Sequence, residues 1–161
     1  MTPTDYTMPK PIHYVVGFAF NKYMNEVALI RKLRGPSFNI GKWNGPGGKI
    51  ELGESARGAM AREFKEETSV VTKPEEWYCY HQERHLPRLE QTLMPHLNFM
   101  TLVLDDDRFY DIKSNTDERM CTFSVVDVLE FDPDQSVYNL EYLLLMARIW
   151  HRCPQHRWIE G

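Results

Sequence analysis

Three glutamates, Glu63, Glu66 and Glu67, lie within five positions of one another in segment 48–70, GKIELGESARGAMAREFKEETSV. On a helix, spacings of three and four residues bring all three carboxylates to one face. Like charges so placed repel, and a helix gains nothing structural from stacking them. A divalent cation converts that repulsion into ligation, because hard Mg²⁺ or Mn²⁺ prefers carboxylate oxygens. Immediately upstream, Gly45-Pro46-Gly47-Gly48-Lys49 makes a loop whose backbone can approach a ligand closely. An acidic helix face by itself is usually only a solvated face. A glycine loop followed by an acid-bearing helix is a way to hold metal against a phosphate chain.

The surrounding elements have to position that segment. Residues 2–11 contain three prolines and read as a loose lead-in. Residues 12–20 are β-branched and aromatic, and 27–31 follow after an Asn-Lys-Tyr-Met-Asn turn, so the two predict neighbouring antiparallel strands. Segment 33–42 is a loop. Ser55 predicts an N-cap for a helix running to about Thr68, and Gly58, which weakens that helix by about 1 kcal/mol relative to alanine, predicts close packing. Segments 76–84 and 96–104 have strand character, separated by a stretch broken at Pro87 and Pro95. Asp105-Asp106-Asp107 reads as a turn, 120–126 as a further strand, and 137–150 as a C-terminal helix. Strands interspersed with two helices predict an α/β chain with a mixed sheet covered on both faces.

Composition agrees with one compact domain over 1–161, with the lead-in 1–11 and a C-terminal extension 152–161. A 161-residue chain that is 42% hydrophobic can bury a real core. Its net charge of −4 argues against general affinity for polymeric nucleic acid, but not against a nucleotide whose charge metal ions offset. The longest apolar run, 14–20, is too short to span a membrane, and the N-terminus has no basic stretch leading into a signal-peptide core. Cys79, Cys121 and Cys153 are widely spaced and form no CxxC pair, which predicts reduced thiols and a cytoplasmic location.

Glycine, five residues, glutamate, seven residues, then Arg-Glu-apolar-any-Glu-Glu is also a family pattern. Gly48, Glu54, Arg62, Glu63, Phe64, Glu66 and Glu67 fill it, with Val70 as the closing apolar residue. Six fixed identities arise by chance roughly once in 10⁸ starting positions at average composition. The segment resembles the signature of the Nudix hydrolases, with Ser69 where the family usually has glycine and Phe64 where it has a smaller aliphatic. The resemblance implies an α/β/α sandwich around a central mixed sheet and hydrolysis of a phosphoanhydride. It implies catalytic roles for Arg62, Glu63, Glu66 and Glu67. Metal ligation, by Mg²⁺ or Mn²⁺, falls to Glu63 and Glu67, with Glu66 as ligand or water activator and the Gly47 carbonyl as a further ligand. Arg62 is suited to holding a glutamate in register, and Glu54 to bracing the junction of loop and helix. Glu118 resembles the distal metal-binding glutamate of MutT-like members, and Glu83 competes for that place. The general base stays open among Glu66, Glu67 and the remote acid.

Segment 42–49, KWNGPGGK, resembles the Trp-Asn-Gly-any-Gly-Gly-Lys stretch of the family's oxidised-purine triphosphatases. By that likeness Asn44 reads the base and Asp134 matches a base-reading acid, while Asp132 and Gln135 replace that group's tryptophan and second acid. Lys49 is placed to touch phosphate or simply to be solvated. The implied partner is a nucleotide, and the implied reaction cleaves a (d)NTP to (d)NMP and pyrophosphate. A dinucleotide, a nucleotide sugar, NADH or an RNA cap is the alternative substrate, and a nucleotide-sensing module the alternative that does no chemistry. Other residues have plainer readings. Trp43 suits packing better than base stacking. His81, Glu83 and His85 alternate on one strand and mimic a zinc site, but imidazoles on a half-exposed strand are more often surface residues. The aromatic and basic tail 150–158 could meet a nucleotide, pack as a terminal extension, or touch a second subunit in a homodimer.

Overall fold

The computed structural model describes residues 10–84 and 94–153. Residues 1–9 of the lead-in, Pro87, His85 and the tail from Pro154 onward therefore lie outside the described residues. Strands β1 (Pro11–Phe20) and β2 (Glu26–Arg31) pair antiparallel, with Phe20 opposite Val27. β1 also runs parallel to β6 (Met94–Val103) along its whole length, and β5 (Tyr78–Arg84) closes that edge antiparallel to β6. On the other side β7 (Arg119–Ser124) lies antiparallel to β2. One parallel pair among antiparallel ones makes the sheet mixed, as expected.

Side-chain alternation feeds two cores. Val15, Ala19, Ala28, Ile30, Met100 and Leu102 face helix α1 (Ala56–Thr68), where Met60 and Phe64 meet them. Phe18, Phe20, Val27, Leu29 and Phe99 face the opposite way, onto α3 (Val125–Leu129) and α4 (Leu140–Arg152). The sheet is thus covered on both faces. Small residues let α1 come close, since a Cβ on Gly17 would sit 2.6 Å from the Met60 sulfur.

The site depends on where β1 and β2 part. β1 shares one edge between β2, at Phe20, and β4 (Gly47–Lys49), at Tyr14 to Val16. β2 likewise takes β3 (Trp43–Asn44) at Ile30 and Arg31. The glycine-rich segment fills the wedge between the two strands, so it is partly strand and not the free loop the sequence suggested. Close approach explains its glycines, because a Cβ on Gly47 would fall inside the Val15 carbonyl.

Several boundaries differ from the sequence reading. The strand expected over 120–126 ends at Ser124, and Val125 begins α3, in which Val125 and Val128 are buried while Val126 is exposed. Spacing by three buried the two valines on a helix where β-branching alone suggested a strand. Asp105 is not part of a simple turn but caps α2 (Asp106–Tyr110), accepting from the Arg108 amide at 3.0 Å. A 3₁₀ turn at Pro74–Glu76 delays β5 to Tyr78, and Pro11 belongs to β1 rather than to the lead-in. Among the described residues no helix is long and apolar enough to cross a membrane.

α1 carries its own boundary signals. Ser55 accepts from the Gly58 amide at 3.0 Å, and it is this cap hydroxyl that a Cβ on Gly58 would crowd. At the other end Ser69 takes φ 67° and donates its N–H to the Lys65 carbonyl. A left-handed residue other than glycine is strained by roughly 1–2 kcal/mol, part of which glycine's larger unfolded-state entropy cancels. Ser69→Gly should therefore raise unfolding free energy by about 0.5–1 kcal/mol in urea titration. A loss would mean that the serine side chain makes up for the strain.

Candidate active site

α1 presents Met60, Phe64 and Glu67 along the stripe that faces the sheet, so the third of these carries a carboxylate into the protein. Glu67 is buried, and its Oε2 accepts from the Gly47 amide at 2.8 Å. Burial, first of all, pushes its pKa up to about 7, and nearby Glu63 and Glu118 push the same way, against Lys32 and the Gly47 amide. Glu63 lies under the glycine strand, where a Cβ on Gly48 would stand 2.5 Å from its carboxylate. Burial raises its pKa too, opposed by Arg62. Glu66 points outward and is exposed.

Arg62 ties this end of the helix to the strand before it. Its Nε and Nη2 fork onto the Glu54 carboxylate at 2.8 and 3.1 Å, Nη1 reaches Glu63 Oε1 at 2.7 Å, and Nη2 also donates to the Lys49 carbonyl at 3.0 Å. Nη1 stands 3.5 Å from Glu66. The planar guanidinium can serve these acceptors together because its donors are fixed in one plane. These bonds hold Glu54 below the usual carboxylate range, and Glu54 in turn accepts from the Glu51 amide.

The remote acid arrives with the loop after α2. Lys113 and Asn115 donate backbone N–H groups to the Thr68 and Glu67 carbonyls, and the Asn115 side chain donates to the Glu66 carbonyl at 2.9 Å. Carbonyls left open by the helix end thus dock the loop, and Glu118 follows just before β7. Glu118 is buried, and its Oε2 accepts no hydrogen bond among the described residues. Glu83 sits on β5 at the far edge of the sheet, 3.5 Å from His81.

Lys32 was missed in the sequence. Its ammonium stands 3.3 Å from Glu118 Oε2 and 3.8 Å from Glu67 Oε1. It follows β2 directly, and its backbone is pinned by Gly41 and Lys42. A lysine between Arg31 and Leu33 carries no local signal; only pairing of β2 with β7 places it between two acids.

The donor set suits a hard divalent cation: two inward carboxylates whose charge burial opposes, a third buried carboxylate oxygen that faces Lys32 but accepts no hydrogen bond among the described residues, and a fourth acid at the rim. Among the described residues no three of His, Cys, Asp or Glu are grouped tightly enough to enclose an ion. Arg62 draws Glu63 one way while Gly47 and Lys32 hold Glu67 another.

Asn44 and Asp134 come from segments lying side by side. The Trp43 amide donates to the Gln135 carbonyl and the Val137 amide to the Trp43 carbonyl, at 2.8 and 3.0 Å. The Asn44 side chain accepts from the Gly45 amide at 2.8 Å, while Asp134 and Lys49 are exposed. Gln135, in the place of a second acid, caps its own turn by accepting from the Asp132 amide. Trp43 is half-buried, edge-on to Phe123 with ring centres 4.8 Å apart, in keeping with packing.

A NUDIX domain model matches residues 12–146. No curated protein matches. Among solved structures, the chain resembles a MutT from a study of Aliivibrio salmonicida and Vibrio cholerae, at TM-score 0.60 and 22% identity, over 83% of this chain and 95% of that one. It resembles the NUDIX domain of Shewanella oneidensis NrtR, complexed with ADP ribose, at TM-score 0.61 and 17% identity, over 92% of each chain. It also resembles a C. elegans Ap4A hydrolase, at TM-score 0.64 and 16% identity, over 88% of this chain and 98% of that one. At such identities the likeness is one of fold. With the family model spanning the strands and helix that build this acidic site, the chain belongs to the Nudix family of pyrophosphohydrolases.

Proposed function

We propose that this protein is a Mg²⁺-dependent nucleoside triphosphate pyrophosphatase that releases a nucleoside monophosphate and pyrophosphate. The observation that carries the reading is the meeting of Glu63 and Glu67 from α1, a buried acid from the loop before β7, and Lys32, under a strand of glycines. Glu63, Glu67 and Glu118 would hold the metal, with Glu66 at the rim and the Gly47 carbonyl beside them. Bound there, Mg²⁺ would neutralise phosphate oxygens and acidify a water.

The chain's own residues supply the rest. Arg62 fixes Glu63 and the Lys49 carbonyl in one frame, so that loop and helix cannot shift independently. Lys32 is the cation nearest Glu67 and Glu118 and would turn to a phosphate oxygen when substrate enters; Lys49 lies exposed on the adjoining strand. The nucleoside would extend toward Asn44 and Asp134, where an amide offers donor and acceptor to a base edge.

A hydrolysis panel with product identification tests this reading, comparing ordinary and oxidised triphosphates, dinucleotides, ADP-ribose and NADH. Monophosphate plus pyrophosphate from a triphosphate is the expected result. Two mononucleotides, or a sugar phosphate, would replace the substrate class while keeping the site. Tight binding without turnover would make the protein a sensor. Asn44→Ala should change the ratio of kcat/KM between bases by about tenfold, the worth of a hydrogen-bonded contact. An equal loss for every base would show that Asn44 holds the Gly45 turn and reads nothing.

A further inference from the structure

α4 buries Leu140, Leu143, Leu144, Ala147 and Trp150 against the sheet. Its opposite face is not the polar surface that an amphipathic helix usually shows to water. Tyr142, Leu145 and Ile149 follow at steps of three and four residues and are 57%, 42% and 58% exposed. Those steps make one straight apolar stripe on the outside of the molecule, of the kind that seams two helices. Scattered exposed apolar residues are ordinary, but an aligned row of a tyrosine, a leucine and an isoleucine is not.

The charges beside the stripe indicate what covers it. Glu141 and Arg148 are seven residues apart and so lie on the same flank. Neither makes an ion pair with a described residue, and Arg148 Nε is buried without a hydrogen-bond acceptor. Burial, and after it the charge of Arg152, disfavour the Arg148 cation. When two antiparallel helices pack about a two-fold axis, each flank faces the same flank of the other copy. Glu141 then meets Arg148 in both directions if the axis passes between Leu144 and Leu145. The same axis places Tyr142 of one copy between the partner's Leu145 and the partner's Ile149. Apolar register and charge register therefore coincide.

We propose that the outer face of α4 is the contact between two copies of this chain, packed antiparallel with Glu141 of each against the partner's Arg148. The three stripe residues offer roughly 300 Å² per protomer at ordinary side-chain areas. With the flanks added, that is at the low end for a specific interface, so the dimer is weak, dissociating in the micromolar range (on the order of 1–100 μM).

Sedimentation velocity across a concentration series tests this on the full chain, with circular dichroism to show that each variant folds. The wild type should pass from monomer to dimer as concentration rises. Leu145→Glu should remove the dimer. Glu141→Arg and Arg148→Glu should each weaken it by about tenfold or more, because two like-charged pairs replace two opposite ones. Mixing these two variants should restore association as a heterodimer, and the double variant Glu141→Arg, Arg148→Glu should restore the homodimer. A wild type that stays monomeric throughout overturns the proposal. So does a dimer indifferent to Leu145→Glu, or one that the charge reversals weaken but neither the mixture nor the double variant rescues.

Discussion

Glu67→Gln is expected to abolish hydrolysis while making the metal-free protein more stable at alkaline pH. The two effects share one cause. Glu67 is buried, and its carboxylate titrates near 7 in the folded protein against 4.5 for an ordinary glutamate. Between those values the native state keeps a proton that the unfolded chain has released, so stability falls as pH rises from about 4.5 to about 7 and then levels off. The cost of the ionised group is on the order of 3 kcal/mol. Glutamine removes it and can still accept the Gly47 amide hydrogen bond. The variant should therefore melt roughly 4–8 °C higher than the wild type at pH 8, and at nearly the same temperature at pH 5. Mg²⁺ should raise the wild-type melting temperature at pH 8 and do little for the variant. Turnover should drop by about three orders of magnitude or more, the scale of losing charge stabilisation at the reacting centre. Near-normal turnover would remove Glu67 from the metal site. A variant less stable at pH 8 would show that Lys32 and Gly47 more than offset the buried charge.

What the sequence disclosed follows from how local each cause is. The start of α1 was legible because a serine followed by an amphipathic run is enough to begin a helix, and Ser55 makes the capping bond. β1 and β2 were legible because alternating apolar residues and a short turn define a hairpin within twenty residues. Glu63 and Glu67, one turn apart, came to one face for the same local reason, while Glu66 turned outward. β3 and β4 were not legible, since strands of two and three residues exist only because β1 and β2 part and leave edges to pair. α3 escaped because Val125 and Val126 have strand propensity, and burial of Val128 against the sheet decides otherwise. Lys32 escaped for a topological reason: β7 must lie beside β2 before a lysine and a glutamate 86 positions apart can meet. Ser69 is the reverse case, a residue whose type argues against the left-handed helix exit that it nonetheless makes.

Arg62→Lys is expected to cost both stability and rate although it conserves charge. An ammonium is a point donor and cannot reproduce a fork, so it can keep one of Glu54, Glu63 and the Lys49 carbonyl but not all three. Two acceptors half-hidden from water would lose their donors, a loss of about 1–3 kcal/mol in unfolding free energy. The catalytic effect comes through position. Glu63, released from Nη1, would swing toward solvent, and the glycine strand would no longer be clamped to the helix through Lys49. Misplacement of a reacting group by about 1 Å can lower a rate by about 10²-fold, and kcat is expected to fall by that order with a smaller change in KM. Glu54→Gln separates position from charge, because it touches only the far end of the same fork. If Arg62 acts by positioning, Glu54→Gln should lower kcat in the same direction, and the pair of substitutions should cost less than their separate effects together. If Arg62 contributes only its charge, Arg62→Lys should be nearly as active as the wild type and Glu54→Gln silent.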